Sequence, residues 1–186
     1  MTARNINELA AAIHEAAVAK GFWDVEDAEK KHLAKMISEL GEVVQADRAG
    51  VMYEIERDGG KPEGVVAELA DFAMMALDWL EVRSTCDHNE SYDERYTAVA
   101  MPLHKYKRGE TPISYYDAYE LVNLLACLLT YPLNSSSIND TVLMAMYEII
   151  ACIEFWLKAR GYDLWELIRE KMAYNESRPK LHGRAY

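Results

Sequence analysis

The chain reads as an all-α protein, a helical bundle, on three observations. Apolar residues recur at three- and four-residue steps along nearly its whole length. No convincing run alternates with period two, so no strand is expected. With 51% hydrophobic and 27% charged residues, 186 residues can fill the core of a single domain spanning 1–186.

Taken in order, Ile6, Leu9, Ala10, Ile13 and Ala17 mark a first amphipathic helix ending near Gly21. Leu33, Met36, Ile37, Leu40, Val43 and Val44 mark a second, from about Val25 to Ala49. Pro62 stands near the start of a third, carried by Val65, Leu69, Phe72, Ala76 and Trp79 to about Val82. Residues 1–83 therefore hold three helices. From 84 to 114 polar residues, Pro102, Gly109 and Pro112 make a connector, with a short helix at Tyr92 to Ala100. A fourth helix is expected from Tyr115 to Thr130, stopped by Pro132, then a Ser/Asn turn to Asn139. A long fifth runs from Asp140 to Arg160 and stops at Gly161. The last spans Asp163 to Asn175, and a tail follows from Glu176.

Charge narrows the function. Thirty-one Asp and Glu against 20 Lys and Arg leave a net −11. No basic face for nucleic acid is expected, nor charge-driven binding to an anionic membrane. The longest apolar stretch, Val142 to Leu157, is interrupted by Glu148 and Glu154 and is too polar for a membrane span. Cys86, Cys127 and Cys152 are odd in number and contain no CxxC, which reads as reduced, buried thiols. The N-terminus shows no secretory pattern, so a cytoplasmic location is expected.

Two acid pairs stand out, Glu39-x-x-Glu42 on the second helix and Glu68-x-x-Asp71 on the third, 29 residues apart. Positions three apart share a helix face. Lys35, Glu39 and Glu42 form a row flanking the apolar stripe, and Glu68 lies at the edge of the third helix's core face. Antiparallel packing would bring four carboxylates together, costly to desolvate unless a cation sits among them. Oxygen-only donors on rigid helices suit Mg²⁺, with Mn²⁺ as a substitute. The plainer reading is two ordinary solvated faces. A di-iron bundle needs two Glu-x-x-His motifs, and only Glu29-x-x-His32 is present.

The paired motifs resemble the MazG-like all-α nucleoside triphosphate pyrophosphohydrolases. Residues 31–48 (KHLAKMISELGEVVQADR) look like that family's first metal helix and residues 63–80 (EGVVAELADFAMMALDWL) like its second. Residues 14–23 are similar to the segment preceding the first metal helix in the dCTP-pyrophosphatase branch, where a His and a Trp nine apart hold the base; here they are His14 and Trp23. Residues 170–186 resemble the family's tail, with Lys171, Asn175 and Arg178 matching its Lys, Asn and Arg. Met75 stands where the dCTP branch has a Tyr, and about 90 residues separate Val82 from Lys171, where the family's tail follows closely.

The resemblance implies a Mg²⁺-dependent enzyme cleaving an NTP or dNTP to the monophosphate and pyrophosphate, as a dimer or tetramer. Glu39, Glu42, Glu68 and Asp71 would hold metal, and Glu39 or Glu42 would take the proton of the attacking water. His14, Trp23, Lys171, Asn175 and Arg178 would contact substrate. The alternative is a nucleotide-binding or regulatory protein with little turnover. Each residue also has a structural reading: Trp23 as a core aromatic, His14 as a satisfied helix histidine, Lys171 snorkelling to water. Lys35 is read as structural. Glu120-x-x-Asn123 and Glu148-x-x-Ala151, 28 residues apart, leave two accounts of residues 115–160: a degenerate second repeat, or two further bundle helices with chance Glu spacing.

Overall fold

The computed structural model describes residues 6–55, 60–84, 92–103, 107–108, 111–134 and 140–179. Seven α-helices are present among them: α1 (Ile6–Ala19), α2 (Ala28–Ala49), α3 (Val65–Ser84), α4 (Tyr92–Leu103), α5 (Ala118–Asn134), α6 (Asp140–Lys158) and α7 (Leu164–Glu176). The expected turn over 135–139 and the tail beyond 179 lie outside the described residues, as does Cys86.

α3 is the centre. Its residues from Val65 to Leu80 are buried on nearly every side, apolar apart from Glu68, Asp71 and Asp78. α2 packs antiparallel to it, His32 meeting Met75 while Glu39 and Glu42 meet Glu68; α1 and α7 lie against it, and α6 covers it as well. α5 pairs with α6 and also touches α2, so α2, α3, α5 and α6 form a four-helix core, with α4 laid on α6. One apolar cluster runs through all of these helices.

The link from α2 to α3 sets the register of the two acid pairs. α2 ends on Gly50 at φ 73°, whose N–H bonds Asp47 O, while the Val51 N–H bonds Ala46 O. The chain then returns through a two-residue ladder, β1 (Glu54–Ile55) against β2 (Pro62–Glu63). Gly64, at φ 102°, lies so close to the Val51 and Met52 carbonyls that a Cβ would sit 2.8 Å from Met52 O. The first two N–H groups of α3, from Val65 and Val66, are capped by those same carbonyls at 3.0 Å. Glu68 thus stands in the first turn of α3, opposite Glu39 and Glu42 in the middle of α2.

Several expectations need correction. Two short ladders exist, β1–β2 and β3 (Lys107–Arg108) with β4 (Thr111–Pro112); two residues are too few to display a period of two. α5 begins at Ala118 and passes through Pro132 to Asn134, because a proline in the final turn removes one terminal hydrogen bond without interrupting the helix body. Cys127 is exposed on α5, whereas Cys152 is buried as expected. Glu120 forms a reciprocal cap with Asp117: the Glu120 N–H bonds Asp117 Oδ1 at 2.8 Å and the Asp117 N–H bonds Glu120 Oε2 at 3.1 Å. That cap accounts for an acid at position 120 without reference to a repeat.

Candidate metal centre and the polar cluster beside it

Among the described residues, five charged or imidazole side chains are buried: His32, Glu39, Glu68, Asp78 and Lys171. All five belong to two adjacent clusters along the α2/α3 seam.

The first cluster is the acid centre. Glu39, Glu42 and Glu68 each direct a carboxylate oxygen to a common point, the three atoms lying within 4.8 Å of one another. Glu39 and Glu68 are 6% and 5% exposed, and Glu42 faces solvent. Burial, then the negative charge of Asp71 and more weakly of Glu42 and Glu68, pushes the Glu39 carboxyl up to about 7. Burial also raises Glu68, against the pull of Lys171. The nearby cation Lys35 lies 3.8 Å from Glu39 and over the Phe22 ring, too far to hydrogen-bond the acid.

Asp71, the fourth acid, is held differently. Lys171 Nζ lies 2.6 Å from Asp71 Oδ2 and donates to Pro62 O at 3.1 Å. At 3% exposure Lys171 does not snorkel to water; it ties α7 to α3 beside the acids. Helix α7 is started by Asp163, which accepts from the Trp165 and Glu166 N–H groups, and it buries Leu164, Leu167, Ile168 and Lys171 on one face. Asn175 follows one turn later, where its Oδ1 accepts from Arg178 at 3.5 Å. The Arg178 guanidinium lies over Tyr174, and Lys20, just past the end of α1, bonds the backbone carbonyls of Glu176 and Arg178. Residues 176–178 are thereby pinned to the end of α1.

Two turns along the seam lies the second cluster. Asp78, 4% exposed, accepts from Trp23 Nε1 at 3.1 and 3.2 Å and sits 2.8 Å from His14 Nδ1. His32 donates from Nε2 to Met75 O at 2.8 Å, stacks on Trp23 with ring centroids 5.1 Å apart, and turns Nδ1 toward Asp78 Oδ2 at 3.6 Å. Burial lowers the His32 pKa and raises that of Asp78, the latter opposed by its imidazole and indole neighbours. His14 and Trp23 are thus brought together on Asp78, an arrangement that also suits a satisfied helix histidine and a hydrogen-bonded core aromatic.

His32 and Asp78 were not among the expected site residues. The signal was available: His32 lies seven residues before Glu39, and Asp78 seven after Asp71. Seven residues make nearly two full turns, so each shares a face with its acid about 10 Å away along the axis. Glu29, the other half of the Glu-x-x-His spacing, bonds Arg83 and the Trp79 indole instead. Both members of that motif are committed to protein partners.

A separate groove of about 480 Å³, lined by Ile55, Pro62, Glu170 and Tyr174, contains none of Glu39, Glu42, Glu68 and Asp71. No helix among the described residues is long and apolar enough to cross a membrane. No protein-family model, curated protein or solved structure matches the chain.

Proposed function

We propose that the chain is a Mg²⁺-dependent nucleoside triphosphate pyrophosphohydrolase, cleaving an NTP or dNTP to the monophosphate and pyrophosphate. The observation that carries this reading is the pair of buried carboxylates, Glu39 and Glu68, converging with Glu42 from two helices. The donor set is all oxygen, and the buried acids repel one another, so a hard divalent cation fits it. Glu39, Glu42, Glu68 and Asp71 are the residues that would hold it. When bound, such a cation neutralises charge building on the phosphate oxygens of the leaving pyrophosphate.

The remaining roles belong to the chain's own side chains. Glu39, with its carboxyl pushed up to about 7, suits the acceptance of a proton from water near neutral pH. Glu42, beside it and open to solvent, is the other candidate for that role. Lys171 supplies positive charge next to Asp71, and Asn175 and Arg178 continue its end of the molecule toward α1. His14 and Trp23 are the base-side contacts, gathered on Asp78 about two helical turns along the seam from the acids.

The test is pyrophosphate release from a panel of NTPs and dNTPs with Mg²⁺, repeated with Glu42→Gln. Release that requires Mg²⁺ and is lost in the variant supports the reading. The held state of Asp71 favours one alternative, a nucleotide-binding protein with little turnover. Saturable nucleotide binding without pyrophosphate release from any member of the panel would establish that alternative. The expected dimer or tetramer is measured by light scattering on the same preparation.

A further inference from the structure

The polar atoms around Asp78 can be accounted for one by one. Both of its oxygens face the Trp23 indole N–H, a group that can only donate. Two oxygens sharing one donor describe an accepting carboxylate, so His14 Nδ1, 2.8 Å from Oδ1, carries the hydrogen of that contact. His32 is fixed separately, because its Nε2 faces the Met75 carbonyl and must be N–H there; its bare Nδ1 stands 3.6 Å from Asp78 Oδ2, beyond hydrogen-bond distance, and supplies that oxygen with no donor. The tautomer of a histidine follows from the bond its first nitrogen makes. For His14 this leaves Nε2 as a bare acceptor. No hydrogen bond engages that atom among the described residues, and the His14 side chain is 27% exposed. Trp23 is braced beside it, edge-on to His14 and stacked on His32.

We infer that Asp78 is the positioning residue of a base-reading pocket: it holds His14 as the Nδ1–H tautomer, so that Nε2 accepts a hydrogen bond from an amino or imino N–H on the edge of a nucleobase. This rests on the nucleotide reading above and deepens it by naming the polarity of the recognised edge. A carboxylate buried to 4% exposure is costly, and orienting an imidazole and an indole at once is a role that hydroxyl or amide side chains fill less well. His32 is a second brace, since its ring fixes one face of Trp23.

The experiment reads the tautomer directly. The full chain, labelled with ¹⁵N, is examined at pH 8 by long-range ¹H–¹⁵N correlation, with His14 assigned by the signals missing from His14→Gln. The expected result is Nδ1–H for His14 and Nε2–H for His32. Cytidine, adenosine, guanosine and uridine are then titrated in the absence of Mg²⁺. At least one should move the His14 Nε2 and Trp23 indole signals while Nδ1 stays protonated. Asp78→Leu should release His14 to the Nε2–H tautomer and weaken that nucleoside about tenfold, the loss of one hydrogen bond. An Nε2–H tautomer in the wild type, no response of His14 to any of the four nucleosides, or an unchanged tautomer in Asp78→Leu would each overturn the inference. If Asp78→Leu does not fold, the wild-type tautomer and titration decide it alone. Neither measurement involves metal or turnover. A chain that binds nucleosides through His14 but releases no pyrophosphate fails the catalytic reading and keeps this one.

Discussion

Lys171 on α7 holds Asp71 on α3 at 2.6 Å, and the lysine is almost wholly buried. A helix from the end of the chain is thus fastened beside the acid pairs near its beginning. Asp71 also raises the Glu39 carboxyl, so Lys171 is a local counter-charge for the acid centre. Lys171→Met leaves Asp71 uncompensated beside Glu39 and Glu68, at an expected cost of about 3 kcal/mol without metal. Millimolar Mg²⁺ should recover part of that loss, because a fourth carboxylate becomes free to bind it. Urea denaturation with and without Mg²⁺ measures both. Equal losses in the two conditions would contradict a metal cage at this position.

Glu39 makes the stability of the metal-free protein depend on pH. In the folded chain it keeps its proton up to about pH 7, whereas the ordinary carboxyl releases it near 4.5. The folded state therefore binds more protons between those values, and stability falls as pH rises through the window. The contribution is full below about 4.5, declines by up to about 3 kcal/mol toward 7, and is flat above that. Denaturant midpoints from pH 4.5 to 8 should fall less steeply in Glu39→Gln than in the wild type, the remaining slope coming from Glu68 and Asp78, which burial also raises. Mg²⁺ at pH 8 should raise the wild-type midpoint and leave that of Glu39→Gln nearly unchanged.

Glu42 separates chemistry from folding. It faces solvent, so Glu42→Gln should change stability by no more than about 0.5 kcal/mol. Pyrophosphate release should nevertheless fall by about 100-fold or more if Glu42 holds metal or takes the proton of water. Initial rates over a range of Mg²⁺ concentrations distinguish those two roles, because excess metal rescues a weakened ligand and not a missing base.

Gly64 and Gly50 form a matched pair of controls on the link that aligns the acids. Both have positive φ, 102° and 73°, but only at Gly64 would a Cβ meet backbone, at 2.8 Å from Met52 O. Gly64→Ala should cost about 2 kcal/mol or more and weaken Mg²⁺ binding, because it pushes the start of α3, and Glu68 with it, away from α2. Gly50→Ala should cost only the left-handed backbone penalty, about 1 kcal/mol, and leave Mg²⁺ affinity unchanged. Thermal melts and calorimetric Mg²⁺ titration of the two variants make the comparison.

Periodicity carried much of the architecture. The spacing of Leu33, Met36, Leu40 and Val43, and of Val65, Leu69, Phe72 and Ala76, located α2 and α3, because a helix stripe is local and repeats every 3.6 residues. The same local rule placed Glu39 with Glu42, and Glu68 with Asp71, each on one face. Other local competition was harder to see: Glu120 looked like half of a second acid pair, and its cap with Asp117 depends on where α5 begins. At Pro132 the propensity against helix was real but acted on a single terminal bond.

Which faces meet is a different kind of information. By itself the sequence determined the helices, the apolar stripe each one buries and the four acids that lie beside those stripes. Only the tertiary structure decided that Glu39, Glu42 and Glu68 share a point, that Asp71 is held by a lysine 100 residues away, and that His32 and Asp78 close around Trp23. The physical reason is range: helical spacing is set within a few residues, whereas burial and charge pairing depend on the register between helices. That register is imposed here by Gly64 against the carbonyls of Val51 and Met52, and by the packing of α3 among its neighbours.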